Sequence, residues 1–184
     1  TLPDDYIDPN NNINIIRPMA LESFSYPNIL TNGALYYIKN AHSGKYLSTA
    51  GGVGSVGTNV IQYSFHGNAP QKWRIVHCGN GLFKIVSGVS PNNVLQITTN
   101  SDTNGINVNL NTDTNHLIKR FGLSRASTGA FAILTPTSNF RKVVAVQNAT
   151  ADNGQNVFQW QYKSSINDQW IFEPVNRDPS HGVA

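Results

Sequence analysis

Five carboxylates stand between residues 34 and 175: Asp102, Asp113, Asp152, Asp168 and Glu173. Hydrolysis by acid and base needs two carboxyl groups held at a set separation, and no spacing here marks such a pair. His42, His66, His77 and His116 lack metal-ligand spacing of the H-E-x-x-H kind. No G-x-S-x-G elbow accompanies the serines. Gly51-Gly52-Val53-Gly54 has the look of a phosphate loop, but it runs into strand-like sequence, not into the helix N-terminus that makes such loops bind anions. It is read as a flexible loop. The single cysteine, Cys78, excludes an internal disulfide framework and a cysteine metal site. These residues predict no catalytic centre, no metal and no cofactor. What remains is a stretch, Phe158-Gln159-Trp160-Gln161-Tyr162, in which aromatic planes alternate with amides. Such a face suits either binding or a core. Charged residues make up 12% of the chain, so its surface of amides and hydroxyls suits polar neutral partners better than electrostatic capture. The net charge of +3 comes from scattered residues, which argues against nucleic acid.

The elements that carry these residues repeat. Gly57-Thr58-Asn59-Val60 recurs as Gly105-Ile106-Asn107-Val108 and as Gly154-Gln155-Asn156-Val157. Leu47, Leu95 and Val144 keep the same step, as do Trp73, Phe121 and Trp170. Upstream, Leu35 aligns with Phe83 and Phe131, and Tyr37 with Ile85 and Ile133. That alignment puts the extra residue of the third copy between Ile133 and Val144. Large apolar residues in step over three copies mean one supersecondary unit built three times. Each copy offers four short runs rich in Val, Ile, Phe and Tyr, divided by Gly, Asn and Ser, and none sustains a helical period. The runs fall at 35–39, 45–49, 59–65 and 72–76, at 82–86, 93–97, 106–110 and 119–124, and at 130–134, 142–147, 156–162 and 169–173. The phrase's Gly is expected to take a positive φ, and its Asn to bond its own backbone at the turn.

Three copies are too few for a propeller. Closure into one barrel leaves no free edges, each copy supplying two barrel strands and a capping hairpin, with Trp73, Phe121 and Trp170 meeting in the core. The expectation is an all-β chain, a β-trefoil over 34–175 with copies at 34–80, 81–128 and 129–175. Residues 1–33, with four prolines and an acidic front, read as a linker or an arm laid on the domain through Ile15, Ile16 and Phe24. Residues 176–184 read as an exit linker. No apolar run approaches the ~18 residues of a membrane helix.

Gln71-Lys72-Trp73, preceded by Ser43-Gly44-Lys45-Tyr46-Leu47, resembles the Q-x-W signature of ricin-type β-trefoil lectins. Copy three ends in Asn167-Asp168-Gln169-Trp170 and copy two in Lys119-Arg120-Phe121, both departures from the signature. The resemblance implies carbohydrate binding in up to one shallow pocket per copy. Each pocket uses an Asp after the second strand, an aromatic beyond the G-x-N-V phrase, and an Asn-Gln pair before the Trp. A sugar's C–H face packs on the aromatic plane while amides and the carboxylate fix its hydroxyls. Here the Asp position holds Ser48, Gln96 and Ala145, and the aromatic position holds Tyr63, Asn111 and Trp160. Copy three therefore offers Trp160 as an outward-facing platform, with Asn167 and Asp168 as polar ligands and Gln147 as replacement acceptor. Copy one offers a weaker set: Ser48, Tyr63, His66, Asn68 and Gln71, although Gln71 has a second use in bonding backbone near its Trp. Copy two is expected to be structural only.

Three readings stay open. The first is a module for neutral glycan or polysaccharide, at a cell wall or cell surface, in a secreted multidomain bacterial hydrolase or toxin with a covalently linked catalytic domain. The second is a trefoil that has lost sugar binding and recognises protein, favoured by the three missing aspartates. The third is a trefoil protease inhibitor, for which no rigid exposed loop can be named. In none is this chain itself an enzyme.

Overall fold

The computed structural model describes residues 30–127, 129–163 and 165–175. Copy one supplies β1 (Leu35–Asn40), β2 (Tyr46–Thr49), β3 (Val60–Tyr63) and β4 (Trp73–Gly79). Copy two supplies β5 (Leu82–Ser87), β6 (Asn93–Ile97), β7 (Val108–Thr112) and β8 (Gly122–Ser127). Copy three supplies β9 (Ala130–Leu134), β10 (Lys142–Val146), β11 (Val157–Gln161) and β12 (Trp170–Pro174). The first and last strands of each copy close a barrel: β1 pairs β4, β4 pairs β5, β8 pairs β9, β9 pairs β12 and β12 returns to β1. The Phe83–Phe121 bridge joins β5 to the start of β8 and completes the ring. The hairpins β2–β3, β6–β7 and β10–β11 form the cap. The chain is a β-trefoil. Among the described residues no helix is long and apolar enough to cross a membrane.

Trp73, Phe121 and Trp170 are fully buried in one core. Trp73 Nε1 donates to the Leu47 carbonyl at 3.0 Å, and Trp170 Nε1 to that of Val144 at 2.8 Å. The same geometry thus recurs in copies one and three.

In the first strand the structure departs from the sequence alignment. Tyr36, not Leu35, pairs Trp73, as Phe83 pairs Phe121 and Phe131 pairs Trp170. Tyr36 and Ile38 lie in the core, whereas Leu35 and Tyr37 are only half-buried. A slip of one residue exchanges the two faces of a strand. Correspondingly, the path from Tyr36 to Leu47 is one residue shorter than that from Phe83 to Leu95. The third-copy insertion does lie between Ile133 and Val144. There a 3-10 turn, Pro136–Ser138, leads into Asn139 and Phe140, both at positive φ, and Phe140 is fully buried.

Residues 30–33, assigned by sequence to the arm, are bonded to the barrel. Leu30 enters the core, Thr31 N donates to Tyr36 Oη, and Gly33 N donates to the Ile75 carbonyl. Ile15, Ile16 and Phe24 lie outside the described residues.

The repeated phrase ties the copies together. Gly57, Gly105 and Gly154 take φ of 87°, 91° and 82°, which an L side chain would resist. The asparagines do not bond their own turns. Asn59 Nδ2 donates to Asn156 Oδ1, Asn156 Nδ2 to Asn107 Oδ1, and Asn107 Nδ2 to Asn59 Oδ1, each at 2.9 Å. The three amides form a directed ring, one bond per interface between copies. Backbone bonds repeat the theme: Gly57 N to Leu110 O, Gly105 N to Gln159 O, and Gly154 N to Gln62 O.

Candidate functional site

Copy three carries a cleft of about 470 Å³ on its outer face. The β10–β11 hairpin builds its floor by setting Ala145 opposite Phe158 and Val143 opposite Trp160. Strand alternation sends Val157 and Gln159 inward and leaves Phe158 and Trp160 half-buried on the other face. Beneath them is a second apolar cluster that includes Leu134, Phe140, Val143 and Ala145. Phe158 stacks on Trp160 at 5.1 Å with 15° between planes. Trp160 is therefore a supported wall of the cleft and not the freely outward platform expected.

One rim is the turn Gln147–Ala149, in which Asn148 and Ala149 take φ of 60° and 51°. Copy one places Gly51 and Gly52 at the equivalent positive-φ positions, so that glycine stretch is a defined turn. The other rim is Lys163 with the turn Ile166–Asp168. Gln147, Trp160, Asn167 and Asp168, the residues expected in copy three, all line this cleft.

Two of them hold roles other than those expected. Gln147 Oε1 accepts from Asn156 Nδ2 at 3.3 Å, so one lone pair of the expected acceptor serves the fold, and the other lone pair and the amide hydrogens remain. Asp168 is 2% exposed, and its Oδ2 accepts the Lys163 backbone N–H at 2.9 Å while Oδ1 accepts from Asn167 Nδ2 at 3.2 Å. Burial raises its pKa above the ordinary carboxylate value, with the Lys163 N–H acting in the opposite sense. Asp168 shapes the rim more than it reaches out of it.

In copy one Ser48, Tyr63 and His66 line a smaller cleft of about 240 Å³, together with Thr49, Ile61 and Pro70. Tyr63 is 41% exposed. Asn68 is exposed and stands outside this lining. Gln71 is corrected as a ligand because it is fully buried and its amide is spent on backbone. Its Oε1 accepts from His66 N and Gly67 N, and its Nε2 donates to Ser64 O at 2.9 Å. Lys119 is the copy-two equivalent, and its Nζ donates to Thr112 O at 2.7 Å. Gln thus closes the loop with a donor and an acceptor, Lys supplies only the donor, and Asp168 only the acceptor.

Copy two has Asn111 where the aromatic stands, and Lys84–Asp113 forms an ion pair on its outer face. Sequence reasoning missed Phe158, Asn148, Ala149 and Lys163 as lining residues. The alternation of Phe158 with Trp160 was a usable signal for the first. Lys163 carried none, since it is an ordinary loop lysine by type.

Residues 24–111 match the family model described as ricin-type beta-trefoil lectin domain-like. None of the curated proteins compared with the chain matches it. Among solved structures, the designed threefold symmetric protein ThreeFoil is 32% identical, with a TM-score of 0.72 over 76% of this chain and 97% of that one. The exo-beta-1,3-galactanase 1,3Gal43A from Clostridium thermocellum is 21% identical, with a TM-score of 0.71 over 82% of this chain and 31% of the enzyme's. The Macrolepiota procera ricin B-like lectin, solved in complex with lactose, is 19% identical, with a TM-score of 0.66 over 79% of this chain and 98% of the lectin. The last two likenesses concern the fold. With the threefold barrel, its repeated Trp–carbonyl bond and the family match, this chain belongs to the ricin-type β-trefoil lectin-like domain family.

Proposed function

We propose that this domain is a non-catalytic carbohydrate-binding module whose principal site is the copy-three cleft. The carrying observation is that cleft: an aromatic wall of Trp160 backed by Phe158, facing Gln147, Asn148 and Asn167 across about 470 Å³. A pyranose buries its C–H face on such a wall while its hydroxyls meet the amides. The copy-one cleft, with Tyr63, Ser48 and His66, is the weaker second site. A shallow site with few contacts gives single-site affinity of roughly high micromolar to millimolar. Two sites on one rigid frame raise avidity on a polymer. The wider setting we infer is a secreted or cell-surface multidomain bacterial hydrolase or toxin, which this module directs to a polysaccharide. That the chain matches about a third of a galactanase chain supports such a setting.

The test is a glycan array with polysaccharide pull-down on wild type, Trp160→Ala and Tyr63→Ala. Trp160→Ala is expected to lose about 1–3 kcal/mol of binding and Tyr63→Ala less. Since Trp160 is half-buried on the second cluster, circular dichroism must first establish that the variant is folded. Binding that survives Trp160→Ala and dies with Tyr63→Ala reverses the ranking. One observation favours protein recognition instead: the carboxylate position holds Ser48, Gln96 and Ala145, and Asp168 is buried. A wild-type domain that captures no glycan supports that second reading.

A further inference from the structure

The charged groups of the copy-three cleft are unevenly exposed. Ala145 in the floor offers neither a side-chain donor nor an acceptor. Gln147 Oε1 accepts one bond from Asn156, and the amide hydrogens of Gln147 remain for a ligand. Both oxygens of Asp168, the one carboxylate in the lining, already accept bonds from Lys163 N and Asn167 Nδ2, and the residue is 2% exposed. Lys163 is exposed, and its ammonium stands 5.9 Å from the Trp160 ring centroid. Phe158 covers one face of that ring, so the ammonium belongs to the side a ligand would approach. At the aligned position of copy one stands His66, its ring 6.3 Å from Tyr63 and its Nδ1 accepting from Asn68 N, so the ammonium is particular to copy three. The accessible groups thus include a full positive charge and an amide donor beside the aromatic wall, while the opposing charge is buried and already bonded.

Building on the reading of this cleft as a glycan site, we propose that it selects an acidic glycan. A sugar carboxylate or sulfate ester meets the Lys163 ammonium while the ring lies against Trp160. This replaces the neutral ligand that composition alone suggests. An anion at this place gains an ion pair with an exposed ammonium, whereas a neutral sugar must displace that ammonium from the ring without compensation.

The experiment is titration calorimetry with oligogalacturonate, the same oligomer as its methyl ester, and a sulfated galactan. The proteins are wild type, Lys163→Gln and Lys163→Arg. The rim is hydrogen-bonded through the Lys163 backbone N–H, which both variants keep. Wild type should bind at least one acidic probe more tightly than the methyl ester, and the preference should shrink as salt rises. Lys163→Gln should weaken the acidic probe by about two- to fivefold, the range of an exposed ion pair, and bind the ester no more weakly than wild type does, since its ring then has no ammonium to displace. Lys163→Arg should retain the preference. A response to oligogalacturonate alone assigns a carboxylate, and to the galactan alone a sulfate. Equal binding of acid and ester, or a preference untouched by Lys163→Gln, overturns the proposal. If neutral glycans bind on the array and no acidic probe does, this proposal fails and the glycan-binding reading stands. If no glycan of any kind binds, both fail.

Discussion

Replacing one asparagine of the axial ring by alanine tests whether the three copies are held together there. Each of Asn59, Asn107 and Asn156 donates one ring bond and accepts another at 2.9 Å. A single Asn→Ala therefore removes two of three bonds and orphans a donor on one neighbour and an acceptor on the other. At about 0.5–1.5 kcal/mol net per bond, the cost is about 1–3 kcal/mol. For a domain of this size that is a fall in Tm of about 3–12 °C. Asn156→Ala should cost the most, because Asn156 also donates to Gln147 at 3.3 Å. The sharper test is the double variant. Asn59→Ala with Asn107→Ala removes all three bonds, whereas the two singles together count four. The double should be less destabilising than the sum by about one bond, or ~1 kcal/mol. Urea unfolding of the three singles and one double measures this, with unchanged m-values as the check on two-state behaviour. Strict additivity, or single costs below about 0.5 kcal/mol, would refute the ring as a cooperative element.

The other predictions concern buried side chains. Trp170→Ala should destabilise the domain by about 3–5 kcal/mol, since it empties the shared core and leaves the Val144 carbonyl without its 2.8 Å donor; thermal unfolding within 1 kcal/mol of wild type would contradict that placement. Asp168→Asn removes a carboxyl whose pKa burial raises above its ordinary 3.8, while keeping an oxygen to accept from Lys163 N. A raised folded pKa means stability present at low pH and lost as pH rises through that value. The variant should thus gain on wild type above the raised value, and the gain should shrink as pH falls toward about 4. A Tm difference that stays constant across that window would sink the assignment.

The period of the repeat was legible in sequence because it is written in large apolar residues and in a turn whose Gly has no substitute. The register of β1 was not. Leu35, Tyr36, Tyr37 and Ile38 are all apolar, so either alternate pair fits a core, and only pairing with Trp73 decides for Tyr36 and Ile38. The Asn of the phrase was read as a local turn former because sequence shows each copy alone; its partners lie in the other two copies. At the candidate site, spacing brought Trp160, Asn167, Asp168 and Gln147 to one cleft, since the family frame fixes where those positions fall. It could not say which atoms face the ligand. Whether an amide near a Trp turns outward, or inward to satisfy a loop as Gln71 does, depends on hydrogen bonds to backbone that leave no trace in residue type.

The contrast between axis and rim explains why one frame carries three unlike outer faces. The asparagine ring and the phrase glycines' backbone bonds at the axis each join two copies, so a change there must be accepted on both sides, and Gly-x-Asn-Val stands in all three. The outer faces differ from copy to copy. There Tyr37 and Phe65 meet edge to face at 5.0 Å in copy one, while their equivalents in copy two, Lys84 and Asp113, form an ion pair. The loop-closing position shows the same freedom: Gln71, Lys119 and Asp168 are all buried, and each satisfies at least one backbone group that the loop would otherwise leave open. What that position requires is a partner for buried backbone, not one residue type, so it drifts without loss of the fold. Copy two can exchange its aromatic for Asn111 at no cost to the barrel, and copy three can replace a carboxylate by Ala145 and set a lysine beside its tryptophan. On the proposed glycan-binding reading, substitutions at Lys163 or His66 should alter ligand choice without touching the threefold core.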